Sequence, residues 1–247
     1  MFSTGSNVID KAKDRPILSI VIPAFDEEES IGRVLNRIEK SLGRHLTNYE
    51  VIVVNDGSSD MTAKIACDLG AQVINQQNAG YGSALKTGLL QAKGQYLCFL
   101  DADNTYPPEL ILTMLKTAEN FSLVVGSRFT LSHNGMPLAR KVGNLIFASL
   151  ISFATGRKTT DVWSGLRIFD RKLLSVVKEL PEDLTFTPIM TLKSILNGFS
   201  YSEVVIPYAE RVGRSKLNSL KDGSRFLKGF MLALLSSDSE TKISNIS

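Results

Sequence analysis

The sequence has few of the residues on which many catalytic sites depend. Its 247 residues include two histidines and two cysteines. His45 and His133 stand alone, so no Ser-His-Asp or Cys-His set is apparent. Cys67 and Cys98 lie far apart without the spacing of metal ligands, and we expect buried free thiols in a reducing compartment. The shortage argues against a nucleophilic triad and against a cysteine-based metal site.

Long apolar runs and basic blocks are also missing. No stretch reaches the roughly 20 apolar residues of a membrane span, and the polar start of the chain lacks the apolar core of a secretory signal. The apolar runs 145–154 and 226–235 are about half that length. We interpret them as core helices, with helices lying on a membrane surface as the alternative. The formal net charge is +3 without a basic stripe, so nucleic acid is not an expected partner.

The first half of the chain alternates between strand and helix patterns. Apolar runs predict strands at 17–22, 50–54, 71–74, 96–100 and 123–125. Between the first two, Ile31, Val34, Leu35 and Ile38 recur at helical spacing. Strands separated by helices indicate β-α-β units and a mainly parallel sheet flanked by helices. The length fits one large domain or one domain with an appendage.

The second half is less regular, with predicted strands at 166–169 and 201–206 and a final helical tract. We expect a flexible lead-in at 1–15, one domain at 16–236 and a polar tail at 237–247.

Three polar clusters follow the predicted strands, at 23–27, 55–60 and 101–105. Ligands of open α/β sheets bind beyond the carboxyl ends of the strands, where all three clusters fall. Asp101 and Asp103 repel each other unless a cation lies between them. Mg²⁺ or Mn²⁺ meets that need and neutralises charge on a departing diphosphate. The alternative is a solvated turn with a helix-capping aspartate.

Other polar residues carry weaker signals. Asp56 is placed to accept a hydrogen bond from a base or a ribose, whereas an Asx turn and helix cap is the simpler interpretation for Asp60. Guanidinium groups suit phosphate recognition, although scattered arginines are usually surface ion pairs of little energetic weight. The basic residues considered are Arg128, Arg140, Arg167, Arg211, Arg214 and Lys216.

These clusters, in this order, resemble family 2 glycosyltransferases of the GT-A fold. The resemblance covers roughly residues 16 to 230, and its second half is similar to the polyprenyl-phosphate branch, the dolichyl- or undecaprenyl-phosphate sugar synthases. The matching stretches are 21–28, 54–60, 78–82, 100–103, 125–128, 161–167 and 211–216. The resemblance implies a Rossmann-like, mainly parallel sheet in a single domain with C-terminal interfacial helices.

The resemblance also implies roles for individual positions. Those implied to bind the donor nucleotide and its diphosphate are Pro23, Ala24, Phe25, Glu27, Asp56, Asp101, Ala102, Asp103, Ser215 and Lys216. Asp101 and Asp103 would hold Mg²⁺ or Mn²⁺. Arg128, Arg140 and Arg211 would hold the lipid phosphate.

The implied activity is inverting transfer of a sugar from a nucleotide-sugar to a polyprenyl phosphate. The acceptor oxygen is already ionised, so the attack requires no general base. GDP-mannose, UDP-glucose and UDP-N-acetylglucosamine remain open as donors. The resemblance further implies that the enzyme acts at the cytoplasmic face of a membrane. It would be held there by contact of its own surface with the membrane or by an anchoring partner subunit.

Some positions depart from the family pattern, and alternatives remain open. Phe25 and Asp26 stand where Tyr and Asn are usual, and Thr105 stands where some relatives have a third metal ligand. The Gln-x-x-Arg-Trp signature is absent, which disfavours chain polymerisation. A hydroxyl acceptor would need a base, for which Asp161 is the candidate. The acidic loop 23–29 argues against a nucleotidyltransferase, and the Asp101 and Asp103 pair argues against a non-catalytic binding module.

Overall fold

The computed structural model describes residues 15–129, 138–207 and 219–244. The strands in this part of the chain are β1 (Leu18–Ala24), β2 (Tyr49–Asp56), β3 (Gln72–Gln76), β4 (Tyr96–Phe99), β5 (Leu123–Ser127), β6 (Arg167–Asp170) and β7 (Tyr201–Val205). The α-helices are α1 (Ile31–Leu42), α2 (Thr62–Asp68), α3 (Tyr81–Gln91), α4 (Ile111–Ala118), α5 (Leu138–Thr155), α6 (Leu174–Val177), α7 (Phe186–Leu196) and α8 (Ser219–Ser244).

The strands form one sheet in the order β3-β2-β1-β4-β6-β5-β7. Strand β1 pairs in parallel with β2 and β4, as do β2 with β3 and β5 with β7. Strand β6 runs antiparallel to both β4 and β5. The predicted mainly parallel sheet is therefore confirmed. The reversed strand begins at the carboxyl edge, where Arg167 lies opposite Phe99, the last residue of β4.

Helices cover both faces of the sheet, which explains why its central strands are apolar throughout. Ile20 and Ile22 of β1 pack on the face covered by α1, α2 and α4, whereas Val21 packs on the face covered by α3, α5, α7 and α8. The four apolar residues predicted to form the stripe of α1 are all buried. The prediction of this helix from its spacing is thus confirmed.

The structure corrects one local expectation. Cys98 is buried in β4, but Cys67 is exposed, because the residues of α2 that pack inward are Thr62 and Ala66. A short 3₁₀ turn, Pro108–Leu110, precedes α4. Helix α7 begins at Phe186, with Pro188 inside its first turn, where proline removes no helical hydrogen bond.

The two apolar runs noted in the sequence belong to α5 and α8, which pack against each other. The rings of Phe147 and Phe226 lie 4.4 Å apart between centroids. Each helix nevertheless keeps apolar side chains in solvent, and Phe153 is 92% exposed. No described helix is long and apolar enough to cross a membrane. Helix α8 continues past residue 236, and the predicted boundaries of lead-in, domain and tail stay predictions.

Candidate active site

A cavity of about 410 Å³ opens at the carboxyl edge of the sheet. It gathers residues that follow β1, end β2 and follow β4, as the three polar clusters at the strand ends predicted, together with Arg128, which follows β5. The predicted site residues that line it are Pro23, Ala24, Phe25, Glu27, Asp56, Asp101, Ala102, Asp103, Arg128 and Arg140. Arg211, Ser215 and Lys216 lie outside the described residues, as does Arg214, and their roles stay predictions.

The loops after β1 and β2 bind each other along one side of the cavity. The Asp26 carboxylate accepts from the Ser59 backbone N–H at 2.8 Å, and the Glu27 N–H donates to the Thr62 hydroxyl at 2.8 Å. Asp26 has a φ of 51°, a left-handed conformation that Asn and Asp tolerate best among non-glycine residues. An aspartate therefore meets the same backbone demand as the asparagine that is usual in the family.

Asp56 holds the glycine-rich turn that follows β3. Its carboxylate accepts from the backbone N–H groups of Ala79 and Gly80, each at 2.9 Å, and from the Gln76 amide at 2.7 Å. Gly80 has a φ of 100°, which a side chain would strain. Asp56 therefore lines the cavity and also fixes the start of α3. Base recognition by Asp56 stays a prediction.

Asp103 is held by its own turn. Its Oδ1 accepts from the Thr105 hydroxyl at 2.6 Å and from the Thr105 N–H at 3.1 Å. Between them, Asn104 has a φ of 62°, and its side-chain oxygen accepts from Arg37 of α1 at 2.6 Å. Thr105 thus acts as a donor that orients Asp103.

Asp101 has a different set of neighbours. The Tyr81 hydroxyl donates to Asp101 Oδ1 at 2.8 Å, and the backbone of Gly165 lies directly against the same carboxylate. Burial and the negative charge of Asp101 hold the pKa of Tyr81 well above its ordinary value. The phenol therefore keeps its proton at neutral pH and serves as a donor.

Arg128 faces the cavity from the end of β5 and is bound by Asp161. Its Nε donates to Asp161 Oδ2 at 2.7 Å, and its Nη2 donates to Oδ1 at 2.9 Å. Burial lowers the pKa of Arg128, but Asp161, Tyr106 and Asp101 together outweigh burial and raise the pKa overall. The guanidinium also lies 5.8 Å from the centre of the Tyr106 ring. Arg128 is consequently a fixed positive charge.

The loop that carries Asp161 is anchored from two sides. Glu203 of β7 accepts from the Thr160 N–H at 2.7 Å and from the Thr160 hydroxyl. Asn144 of α5 donates to the Thr160 carbonyl at 2.6 Å and accepts from the Val162 N–H at 3.1 Å. Because both oxygens of the fully buried Asp161 bind Arg128, this carboxylate orients the arginine.

Arg167 is placed differently from the phosphate-binding role considered for it. It is fully buried, and its guanidinium donates to the carbonyls of Ser164 and Val162 and to the Thr191 hydroxyl. Burial lowers its pKa, while nearby Tyr201 counteracts that effect. Arg167 therefore holds the loop before β6 through hydrogen bonds to its carbonyl groups, and it does not line the cavity.

Other residues of the cavity wall were given no individual role by the sequence. Tyr81, Tyr106, Trp163, Leu184 and Thr187 line it, and of these Tyr81 and Trp163 lie in the matched stretches 78–82 and 161–167. The Trp163 ring packs on Phe147 of α5 and Phe226 of α8, at centroid distances of 5.8 and 6.2 Å. The glycine-rich stretch 78–82 indicated a turn before α3, but nothing in it indicated where the Tyr81 side chain points.

The cavity residues fit a hard divalent cation bound together with a phosphorylated substrate. In the described ranges, no group of three or more His, Cys, Asp or Glu residues is placed to hold a metal ion. Asp101 and Asp103 supply two carboxylates in one open cavity that also presents Arg128 and Arg140. Mg²⁺ is commonly held by one or two carboxylates and completes its shell with substrate phosphates and water.

Comparisons with known proteins agree with this geometry. A dolichyl-phosphate hexose transferase from Haloferax volcanii is 34% identical over 220 residues, which cover 88% of this chain and 94% of that protein. An undecaprenyl-phosphate 4-deoxy-4-formamido-L-arabinose transferase from Photorhabdus laumondii is 34% identical over 214 residues. That match covers 83% of this chain but 64% of the relative, which is therefore the longer protein.

Solved structures show the same fold. Glucosyl-3-phosphoglycerate synthase from Mycobacterium tuberculosis, in complex with Mn²⁺, UDP-glucose and phosphoglyceric acid, matches with a TM-score of 0.67 at 24% identity, over 91% of this chain and 80% of that one. The family model described as Glycosyl transferase family 2 matches residues 19–177. The chain belongs to glycosyl transferase family 2 and is a hexosyltransferase-like enzyme of the GT-A fold.

Proposed function

We propose that the protein transfers a hexose from a nucleotide-sugar to a polyprenyl phosphate with inversion at the anomeric carbon. The observation that carries the proposal is one cavity in which Asp101 and Asp103 share the wall with Arg128 and Arg140. Two carboxylates suit a cation and a diphosphate, and two guanidiniums suit a second phosphate. The names of the two curated relatives, which specify dolichyl and undecaprenyl phosphates, support the same acceptor class.

The position of Asp161 favours this acceptor over a hydroxyl. A hydroxyl acceptor must lose a proton as it attacks, and the candidate base must reach that proton. Asp161 is 0% exposed and does not line the cavity, and both its oxygens accept from Arg128. A phosphate oxygen is already ionised and needs no base. Asp161 then acts through Arg128, by holding it towards the acceptor phosphate.

The charged residues of the cavity fall into an acidic group for the nucleotide-sugar donor and a basic group for the phosphate of the acceptor. Glu27, Asp56, Asp101 and Asp103 form the acidic part of the cavity, where the nucleotide and its diphosphate bind with Mg²⁺ or Mn²⁺. A divalent ion at Asp101 and Asp103 would neutralise charge that develops on the leaving diphosphate. Arg128 and Arg140 orient the acceptor phosphate for direct displacement. Ser215, Lys216 and Arg211 are proposed to complete the two phosphate sites.

A lipid acceptor calls for contact with a membrane, and α5 and α8 offer a surface for it. Apolar side chains that these two helices expose are Leu138, Val142, Leu145, Ile146, Phe153, Leu227, Met231, Leu232 and Leu235. Arg157 and Lys158, which follow α5, and Lys228 of α8 are exposed and suit anionic head groups. Since Arg140 of α5 lines the cavity, this surface adjoins the proposed acceptor site. We propose that it rests on the cytoplasmic face of a membrane, alone or with an anchoring subunit.

The test measures transfer of radiolabelled sugar to a short-chain polyprenyl phosphate with Mg²⁺ or Mn²⁺. GDP-mannose, UDP-glucose and UDP-N-acetylglucosamine are compared as donors, and the free polyprenol serves as the matched acceptor without a phosphate. The expected product appears with the phosphate, is absent with the alcohol, and has the anomeric configuration opposite to that of the donor. Transfer to the alcohol or to a soluble sugar, with none to the lipid phosphate, would overturn the proposed acceptor and leave the enzyme class intact.

A further inference from the structure

Tyr81 makes the direct contact between the glycine-rich turn and the carboxylate pair. It is the first residue of α3, it lines the cavity, and its hydroxyl donates to Asp101 Oδ1 at 2.8 Å. Asp56 fixes the backbone just before it through Ala79 and Gly80. The position of the phenol is therefore set by the backbone of the turn and does not depend on Asp101 itself.

Gly165, a residue without a side chain, also lies against the Asp101 carboxylate. A Cβ built on Gly165 would lie 2.5 Å from both carboxylate oxygens of Asp101, and its three nearest atoms all belong to that carboxylate. Gly165 is itself held, because its N–H donates to the Tyr106 hydroxyl at 2.6 Å. Asp101 thus contacts a hydroxyl and a backbone that are each held in place by other residues.

We propose that Tyr81 is a positioning residue that sets the orientation of Asp101 for the divalent cation. The inference rests on the proposed function for the presence of that cation. A carboxylate that ligates a metal is commonly oriented by a second hydrogen-bond partner, and loss of that partner weakens metal affinity by about 10-fold or more. Without the phenol, the Asp101 carboxylate is free to rotate, and a rotated carboxylate no longer directs its oxygens at the cation.

The experiment titrates the metal-free protein with Mn²⁺ and follows the electron paramagnetic resonance signal of free Mn²⁺, with UDP or GDP in separate series. Tyr81→Phe is expected to raise the Mn²⁺ dissociation constant about 10-fold. Tyr49→Phe is the matched control, because the Tyr49 hydroxyl also donates to a carboxylate, Glu39 at 2.5 Å, but away from the cavity. The control is expected to bind Mn²⁺ as the unaltered protein does.

A second variant disturbs Asp101 through Gly165. Gly165→Ala places a methyl group against the carboxylate, and it is expected to weaken Mn²⁺ binding in the same direction. In both variants, excess Mn²⁺ should restore the rate of transfer, because the defect lies in metal affinity. Thermal unfolding midpoints check that each variant is folded.

The outcomes separate this inference from the proposed function. Unchanged or tighter Mn²⁺ binding by folded Tyr81→Phe, with normal binding by the unaltered protein, overturns the positioning role alone. Failure of the unaltered protein to bind Mn²⁺ with either nucleotide overturns the metal site and the inference together. A rate defect in Tyr81→Phe that excess Mn²⁺ does not restore also contradicts the positioning role.

Discussion

Arg128 and Asp161 form a two-bond ion pair in which the arginine lines the cavity and the aspartate is hidden beneath it. The two hydrogen bonds are 2.7 and 2.9 Å long, and the Arg128 side chain is 14% exposed. The backbone N–H of Arg128 donates to the same carboxylate at 3.0 Å. One buried carboxylate therefore fixes both the chain and the guanidinium of the residue proposed to hold the acceptor phosphate.

Replacing Asp161 by Asn should destabilise the protein by roughly 3 kcal/mol, because a largely buried guanidinium loses its counter-charge. The double variant Asp161→Asn with Arg128→Met should recover part of this loss, since the uncompensated charge is gone. Urea denaturation of the two variants and of the unaltered protein measures the effect. Equal instability of the single and double variants would contradict the assigned pairing.

The kinetics of Asp161→Asn distinguish positioning from base catalysis. We expect the KM for polyprenyl phosphate to rise, as it should in Arg128→Met, because the acceptor phosphate loses a fixed partner. A general base would instead show a lower kcat at unchanged KM, together with loss of the acidic limb of the pH profile. Steady-state rates at several pH values decide between these results.

Removal of divalent metal should abolish transfer. Asp103→Asn should weaken both Mn²⁺ binding and donor binding, because the cation would otherwise link this carboxylate to the diphosphate. Chelation followed by readdition of Mg²⁺ or Mn²⁺ tests the first point, and Mn²⁺ titration of the variant tests the second. Asp68→Asn is a control with the same change of charge, because Asp68 is an exposed residue of α2 outside the cavity. Full activity in the presence of chelator would refute metal dependence.

The exposed apolar surface of α5 and α8 should mediate binding to lipid vesicles. Leu145→Glu is expected to reduce co-sedimentation with vesicles of phosphatidylcholine and phosphatidylglycerol severalfold, because a charge replaces an apolar contact. Leu69→Glu is the matched control, since Leu69 follows α2 and is 44% exposed, compared with 49% for Leu145. Equal loss in both variants would contradict a binding surface on α5.

Asp60 should contribute to stability at neutral pH and lose that contribution in acid. Burial raises its pKa, but hydrogen bonds from the Thr62 hydroxyl and from the N–H groups of Thr62 and Glu28 outweigh burial and lower it. A group whose folded pKa is lowered stabilises the protein above its unfolded pKa of about 3.9, and the contribution is lost as pH falls through the folded pKa. Asp60→Asn should therefore unfold at lower urea concentration at pH 7, and the difference from the unaltered protein should narrow in acid. A constant difference at all pH values would argue against this contribution.

The predicted elements agree with the structure where one local pattern was sufficient. Spacing alone placed α1 and its four buried residues, and the apolar runs placed five of the strands, with ends shifted by a few residues. The clustering of Asp56 and Asp101 at one edge also followed from the parallel sheet. Each of these inferences depends on neighbours along the chain or on a general property of β-α-β units.

The errors arose where distant segments meet. Arg167 resembled the other arginines in sequence, but its strand runs antiparallel between β4 and β5 and buries it. Cys67 was assigned to the interior although only one side of α2 packs. No local pattern distinguishes these outcomes.

The residue pattern determined the fold class, the edge at which the site lies and the carboxylates gathered there, whereas the site roles of Arg128 and Arg140 came from the family resemblance. The pattern was sufficient for the first three because apolar periodicity and turn chemistry act over a few residues. Only the tertiary structure decided which side chains pair: Tyr81 with Asp101, 20 residues apart, and Arg128 with Asp161, 33 residues apart. Such pairs depend on the mutual placement of separate strands and loops in the packed sheet, which no single stretch of the chain encodes.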